Sequence, residues 1–206
     1  VLPAALGASA RDLGLICRIA ASQGATCVQV SPVHAIAPLP QPQPSPYSPA
    51  SRLFLNMLHI APGAVYGAER VDLTDLDRAG RALNKERMID RDQVWALKNE
   101  ALQRIWNVVK DEPNVEFRAW ELAQGLQLQR FAIWSVIAEH QQHADWRRWP
   151  EELRNPDSVG VRRFAAEHAE RVRFHVWTQY VASEQYRDAC HSGVDVIADL
   201  AVGFDA

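Results

Sequence analysis

The sequence has no concentrated charge of either sign. Its 206 residues include 22 lysines and arginines against 25 aspartates and glutamates, and the net charge of −3 is spread along the chain. Nucleic acids and anionic membranes bind concentrated positive surfaces, and no Lys/Arg block offers one here. We therefore expect neither nucleic acid nor a membrane as a partner, which leaves neutral ligands as the default.

Cysteine is almost absent. Cys17, Cys27 and Cys190 are odd in number and far apart, a pattern that fits a reducing compartment and neither a disulfide framework nor a zinc site. Free cysteines are among the most buried residues, so we expect all three to be buried. No apolar run approaches the ~20 residues that span a bilayer, and no signal peptide opens the chain. A cytoplasmic protein is predicted.

Signals for metals and cofactors are missing as well. His140 and His143 stand three residues apart near a predicted helix end, but a metal site needs further ligands and supporting contacts. The chain contains no Gly-rich phosphate loop, no Gly-x-Ser-x-Gly elbow and no Cys-x-x-Cys pair. We predict no metal site and no cofactor.

The start of the chain predicts an α/β protein. Residues 10–22 have apolar side chains at helical spacing, and Gly24 follows where a helix typically ends. Residues 27–32 are typical of a short β-branched strand that ends at Pro32. A helix followed directly by a strand is half of an α/β repeat.

Prolines crowd the segment 37–49, which we expect to be a stiff, extended loop. They are Pro38, Pro40, Pro42, Pro44, Pro46 and Pro49. The alternative is a disordered linker, but the segment leads directly into Tyr47, Phe54 and an apolar patch, which linkers usually lack.

Long amphipathic helices are predicted over residues 90–109, 116–141 and about 158–191. The tryptophans on their apolar faces are expected to pack in the core. Trp146 and Trp149, in the turn between the second and third helices, are expected to pack there too.

The last apolar run, from Val194 to Val202, predicts a buried strand of a parallel sheet. Two α/β pieces thus bracket a helical block. The simplest fold class is α/β, with a partial (β/α)8 TIM barrel and a large helical insertion. Residues 1–60 would hold the early βα units and a binding loop, residues 61–160 the helical insertion, and residues 161–206 a long helix and the next barrel strand. Because the chain starts at Val1 and stops just after this strand, we interpret both ends as cuts.

The most informative stretch starts with Ser45-Pro46-Tyr47 and reaches Asn56. Five further segments carry recognisable patterns: Val28–Pro32, Asp92–Lys98, Trp146–Arg154, Phe174–Tyr186 and Ile197–Leu200. In this order they resemble the amylomaltase family of glycoside hydrolases, the bacterial and plant 4-α-glucanotransferases of family 77. Two departures are clear: the family's Asn-Pro-Leu-Tyr is Asn56-Met57-Leu58-His59 here, and its Gly-Asp-Leu-Pro is Ala198-Asp199-Leu200-Ala201.

The resemblance implies an enzyme that transfers α-1,4-glucan segments to the 4-hydroxyl of another glucan with retention of configuration. It implies α-1,4-glucans and maltooligosaccharides as ligands and Ser45, Tyr47 and Asn56 as substrate-binding residues, with Asp199 in a hydrogen-bonding role. The family's nucleophile and acid/base lie on later strands, so no catalytic residue is expected within this chain, and the chain alone is expected to be inactive. No feature of the sequence specifies the oligomeric state.

Two other functions stay open. A non-catalytic α-glucan-binding module would bind maltooligosaccharides by itself and lose them in Tyr47→Ala. A helical interaction protein would use the helices between Asp90 and His191 to form a defined complex and would ignore sugars.

Overall fold

The computed structural model describes residues 9–203. These form two compact units. The α/β unit contains residues 9–36, 40–112 and 181–203, and the helical unit contains residues 37–39 and 113–180. All strands of the described residues lie in the α/β unit. A protein of mixed helix and sheet is therefore confirmed, while the domain boundaries at residues 60 and 160 stay a prediction.

The α/β unit opens with helix α1, Ala10–Ser22, as predicted. Ser9 caps it: the Ser9 side chain accepts from the Asp12 backbone N–H, and the Asp12 carboxylate accepts from the Ser9 backbone N–H at 2.9 Å. This reciprocal pair satisfies two donors that every helix start leaves open. After the helix, Gly24 adopts φ 83°, a conformation that favours glycine, and strand β1 follows at Cys27–Val30.

Strands β2, His34–Ala35, and β3, Ser51–Leu55, pair antiparallel and enclose the proline-rich segment. The Ala50 N–H donates to the Ala35 carbonyl at 2.9 Å and extends this ribbon. Between the two strands no helix or strand forms in this described stretch, as expected for alternating prolines that lack backbone donors.

Short 3₁₀ turns and two helices complete the middle of the α/β unit. The turns are Met57–His59, Pro62–Ala64 and Ala68–Arg70, and the helices are α2, Thr74–Leu83, and α3, Arg91–Val109. The predicted helix 90–109 is confirmed by α3. It starts after Asp90, the N-cap, whose side chain accepts from the Gln93 N–H at 3.0 Å.

Strand β4, Asp195–Ala198, pairs with β1 in parallel, from Cys27 opposite Asp195 to Val30 opposite Ala198. The predicted parallel strand exists, but two expectations are wrong. The strand is shorter than the run 194–202 and is not buried: Ile197 is 50% exposed, because β1 is its only partner strand among the described residues. Cys27, which opens this two-stranded sheet, is likewise exposed and not buried.

The helical unit contains α4, Val115–Gln141, α5, Val159–Glu167, and most of α6, Ala169–Cys190, with 3₁₀ turns at Trp146–Arg148 and Glu151–Leu153. None of the helices among residues 9–203 has the length and apolarity needed to cross a membrane. Two predicted helices prove to be interrupted. Gly125 breaks α4 with φ 64° and ψ −153°, and His168 separates α5 from α6 with φ −113° and ψ 27°. Apolar periodicity continues across both breaks, so it could not reveal them.

The tryptophans follow the packing prediction only in part. Trp106 and Trp149 are buried, and the Trp149 indole N–H donates to the His143 carbonyl at 3.0 Å. Trp146 is 41% exposed, contrary to expectation. Its ring lies 4.7 Å from the Arg147 guanidinium carbon, a cation–π contact that suits a ring at the protein surface.

A partly buried charged cluster lies inside the helical unit. The Glu139 carboxylate accepts from the Arg171 Nε at 2.7 Å and lies 3.0 Å from His175 Nε2. Burial opposes the ionisation of Glu139, but hydrogen bonds from Arg171 and His175 outweigh it and lower its pKa to about 2. Burial also lowers the pKa of His175, although Glu139 opposes this, so His175 is the neutral donor between charged neighbours.

The backbone at Gly125 predicts a difference between two glycine substitutions. Gly125→Ala should lower the free energy of unfolding by about 1–3 kcal/mol, because side-chain-bearing residues rarely adopt its conformation. Gly63→Ala is the control: a methyl group there meets open space at an ordinary φ, so the change should stay within about 0.5 kcal/mol. Urea unfolding measures both. Equal stability of Gly125→Ala and the parent would mean that α4 runs unbroken.

The neutral His175 predicts an acid-sensitive fold. Its ordinary pKa is 6.5 and burial lowers it in the folded state, so below about pH 6.5 the unfolded chain binds a proton that the folded chain does not. Stability then rises with pH, with a slope of up to about 1.4 kcal/mol per pH unit from one such group. His175→Gln keeps a neutral donor and should flatten the dependence in urea unfolding between pH 5 and 7. His191→Gln, at an exposed histidine, should not. Equal slopes in both variants would refute this origin.

Candidate functional site

Tyr47 presents a half-exposed aromatic ring that is fixed by its polar end. The side chain is 47% exposed, and its hydroxyl donates to Asp199 Oδ2 at 2.8 Å. The Tyr47 backbone N–H donates to the Ser45 hydroxyl oxygen at 3.3 Å, which pins the loop just before the ring. The hydrogen bond to Asp199, together with its negative charge, raises the pKa of Tyr47, so the phenol stays protonated at neutral pH.

Asp199 owes its place to the parallel sheet. It follows the last residue of β4 directly, and its backbone N–H donates to the Val30 carbonyl at 3.2 Å. The carboxylate therefore lies where both parallel strands end. Asp199 has the hydrogen-bonding role predicted for it, and its partner is the candidate ligand-binding tyrosine.

The Tyr47 loop and β3 lie against the residues after β4. Arg52 Nη1 donates to the Ala201 carbonyl at 3.4 Å. A Cβ atom added to Gly203 would lie 2.9 Å from the Tyr47 carbonyl oxygen, closer than real Cβ atoms approach. The hydrogen bonds from Tyr47 to Asp199 and from Arg52 to Ala201 thus connect this region at two points, and Gly203 lies closely behind the loop.

Asn56 caps the 3₁₀ turn that follows β3. Its Oδ1 accepts from the Leu58 N–H at 3.0 Å, and its own N–H donates to the Val33 carbonyl at 2.9 Å. Ser45 and Asn56 thus both hold loop backbone, as Asx and Ser/Thr side chains commonly do. Their contact with a substrate stays a prediction.

A cavity of about 440 Å³ lies next to Asn56. Its walls come from the N-terminus of α1, the residues after β1, the proline segment and the start of α3, and most of them are apolar. Asn56 and His59 line it, but Ser45 and Tyr47 do not. The structure therefore brings Tyr47 to Asp199 and Ser45, and places Asn56 apart from them at the wall of the cavity.

Lys98 is a residue of this region that the sequence analysis missed. Its side chain is only 2% exposed, and its ammonium donates to the carbonyl oxygens of Leu58 and of Ile60, the latter at 3.0 Å. Burial lowers the pKa of Lys98 to about 7, and the charge of Asp12 opposes this only partly. The signal was available: Lys98 stands four residues after Val94 and four before Leu102, on the buried face of α3.

Comparison with known proteins gives the region its context. The sequence profile described as 4-alpha-glucanotransferase, glycoside hydrolase family 77, matches residues 3–206. A 4-alpha-glucanotransferase of Mycobacterium tuberculosis is 37% identical over 205 residues, which cover 89% of this chain and 28% of that protein.

Solved structures agree. The amylomaltase from Corynebacterium glutamicum superposes with a TM-score of 0.72 at 25% identity, over 95% of this chain and 28% of that one. The amylomaltase from Streptococcus agalactiae, determined in complex with acarbose, has a TM-score of 0.72 at 16% identity, over 98% of this chain and 40% of that one. The chain thus spans 28% of the length of the curated relative described above, and because the family profile matches nearly all of its residues, it belongs to the 4-alpha-glucanotransferase family of glycoside hydrolases.

Proposed function

We propose that the protein to which this chain belongs is a 4-α-glucanotransferase. It would cleave an α-1,4-glucan and pass the glucanosyl segment to the 4-hydroxyl of an acceptor glucan or of glucose. The observation that carries the proposal is the match of the family profile to residues 3–206. The chain supplies one part of the substrate cleft.

The proposed fold is the early part of a (β/α)8 barrel. The parallel pairing of β1 with β4 supports it, since adjacent barrel strands are parallel. In such a barrel the substrate is bound at the carboxyl ends of the strands, and this is the end at which Asp199 holds Tyr47. The residues between the two strands would then be largely a helical insertion, with the boundaries at residues 60 and 160 given above.

The Tyr47 ring has the properties of a sugar platform. Glucose units present apolar C–H faces flanked by hydroxyl groups, and a tyrosine offers a flat ring with a polar rim. Because hydrogen bonds to Asp199 and Ser45 already hold the loop, little conformational entropy would be lost when a glucan binds. Acarbose, the ligand of the Streptococcus agalactiae amylomaltase, is an analogue of a maltooligosaccharide, which supports α-1,4-glucans as the ligands of this cleft.

The proposed chemistry needs two carboxyl groups at close range. One attacks the anomeric carbon and forms a covalent glycosyl-enzyme, and the other first protonates the leaving oxygen and then activates the acceptor hydroxyl. Transfer requires an acceptor sugar to exclude water from the intermediate. We assign neither carboxylate to this chain. Asp199 accepts the Tyr47 hydroxyl, and we propose that it orients the ring and does not act as the nucleophile. Exchange of a glycosyl group between sugars changes no oxidation state and calls for no redox cofactor.

The proposal predicts the products of maltotriose incubated with the whole protein. Glucose should appear together with maltooligosaccharides longer than the substrate, as chromatography of a time course would resolve. Glucose and maltose without longer products would indicate a hydrolase. Absence of any reaction would favour the α-glucan-binding module.

The role of Tyr47 predicts a graded effect of two substitutions in the whole protein. Tyr47→Phe removes one hydrogen bond and should lower kcat/KM about two- to tenfold, since such a bond contributes about 0.5–1.5 kcal/mol. Tyr47→Ala also removes the ring and should cost more. Tyr66→Ala, at another exposed tyrosine of the α/β unit, is the matched control and should leave the kinetics unchanged. Equal kinetics of Tyr47→Ala and the parent would remove Tyr47 from the site.

The absence of an assigned carboxylate pair predicts that the 206-residue chain alone releases no glucose from maltotriose. A coupled glucose assay at high protein concentration tests this, with calorimetric titration of maltotriose alongside. Glucose release would place catalytic groups within the chain. Binding without turnover that disappears in Tyr47→Ala would locate sugar affinity at the loop.

A further inference from the structure

The turn formed by residues 56–61 has its backbone held almost completely by defined partners. The Asn56 N–H binds the Val33 carbonyl, and the Leu58 N–H binds the Asn56 side chain. The His59 and Ile60 N–H groups bind carbonyls within the turn. The carbonyls of Leu58 and Ile60 and both backbone groups of Ala61 have side-chain partners from helices.

Lys98 of α3 holds the two carbonyls. Its ammonium donates to Leu58 O and Ile60 O from a position that is almost fully buried. No ion pair of Lys98 with an acidic side chain is found within the described part of the chain. The negative charge that raises its pKa is that of Asp12 of α1. Burying an ammonium without a carboxylate is costly. A lysine at this place is therefore hard to explain by stability alone.

Gln185 of α6 holds Ala61 from another direction. Its Oε1 accepts from the Ala61 N–H at 2.8 Å, and its Nε2 donates to the Ala61 carbonyl at 3.1 Å. A side-chain amide that pairs with both groups of one residue fixes the position and the orientation of that residue. All of these groups belong to the α/β unit.

The other face of the same turn lines the cavity. Asn56, Leu58 and His59 are among its lining residues, while Met57 and Ile60 point into the core and are buried. Lys98 and Gln185 thus bind the backbone of the turn, while the side chains of Asn56 and His59 in the same turn line the cavity. Movement of Leu58 or Ala61 would shift both side chains.

We propose that Lys98 and Gln185 are positioning residues of the glucan site, acting through the backbone of residues 58–61 to fix Asn56 and His59 at the cavity wall. The inference rests on the proposed function and adds to it that this wall contacts the sugar. In place of the family's aromatic residue, His59 would provide a ring with polar nitrogens, and its placement would depend on the two helices behind the turn.

The test uses the whole protein and the variants Lys98→Met and Gln185→Met, which are unbranched like the parent side chains and remove their hydrogen-bonding groups. Each should raise KM for maltotriose about fivefold or more and change kcat less than twofold. The double variant should be little worse than either single one, because both act on the same turn. Ile105→Val, a buried change two turns further along α3, is the control that lowers the melting temperature without changing KM.

Amide hydrogen exchange gives a readout that does not require turnover. Exchange at Ile60 and Ala61 should accelerate about tenfold or more in both variants, whereas amides of α1 should exchange at the parent rate. If the parent enzyme converts maltotriose and both variants keep its KM, the positioning role is wrong, whatever happens to the melting temperature. If the parent enzyme does not convert maltotriose, the proposed function fails and this inference fails with it. Should Lys98→Met not fold, Gln185→Met decides the question from the other helix.

Discussion

The candidate site depends on the pairing of two four-residue strands that stand far apart in the sequence. Cys27–Val30 and Asp195–Ala198 lie side by side in a fixed parallel register. A slip of one residue would shift Asp199 by about 3.3 Å along the strand, well outside hydrogen-bonding distance of the Tyr47 hydroxyl, which now lies 2.8 Å away. The register thus determines whether Tyr47 and Asp199 of the candidate site can meet.

Hydrogen bonds next to the paired residues add to those within the ladder. The pairing is supported at its ends: the Asp195 N–H donates to the Thr26 carbonyl and the Asp199 N–H to the Val30 carbonyl. Beyond the strand end, Arg52 and Tyr47 add their own bonds to Ala201 and Asp199. The side chains proposed to bind the ligand and the contacts that align the sheet are therefore partly the same.

Local signals in the sequence predicted local structure well. Helices α1 and α3 were located because apolar side chains recur at helical spacing over 10–22 and 90–109, with Gly24 after the first run. The breaks at Gly125 and His168 were missed because apolar spacing persists on both sides of a single irregular residue. The exposure of β4 was also missed, since an apolar composition predicts a strand but does not reveal whether other elements pack against it.

The candidate site was predictable only through the family resemblance. Tyr47 and Asp199 are separated by 152 residues, and nothing in their immediate sequence surroundings indicates that they meet. The family patterns singled out each of them separately, and the structure supplied the bond. Lys98 differs, because its place on the apolar face of α3 was visible in the spacing; what could not be read there is that its partners are two backbone carbonyls.

The close approach of Gly203 to the Tyr47 carbonyl has a consequence for how mutational scans of this family would be interpreted. Any residue larger than glycine at position 203 must displace the loop that carries the ring. A scan scored by loss of function would then rank this position with the proposed ligand-binding residues, although Gly203 has no side chain with which to contact a ligand. Its intolerance to substitution would report backbone crowding behind the loop, and a compensating change in the loop, not a new ligand, would be the way to relieve it.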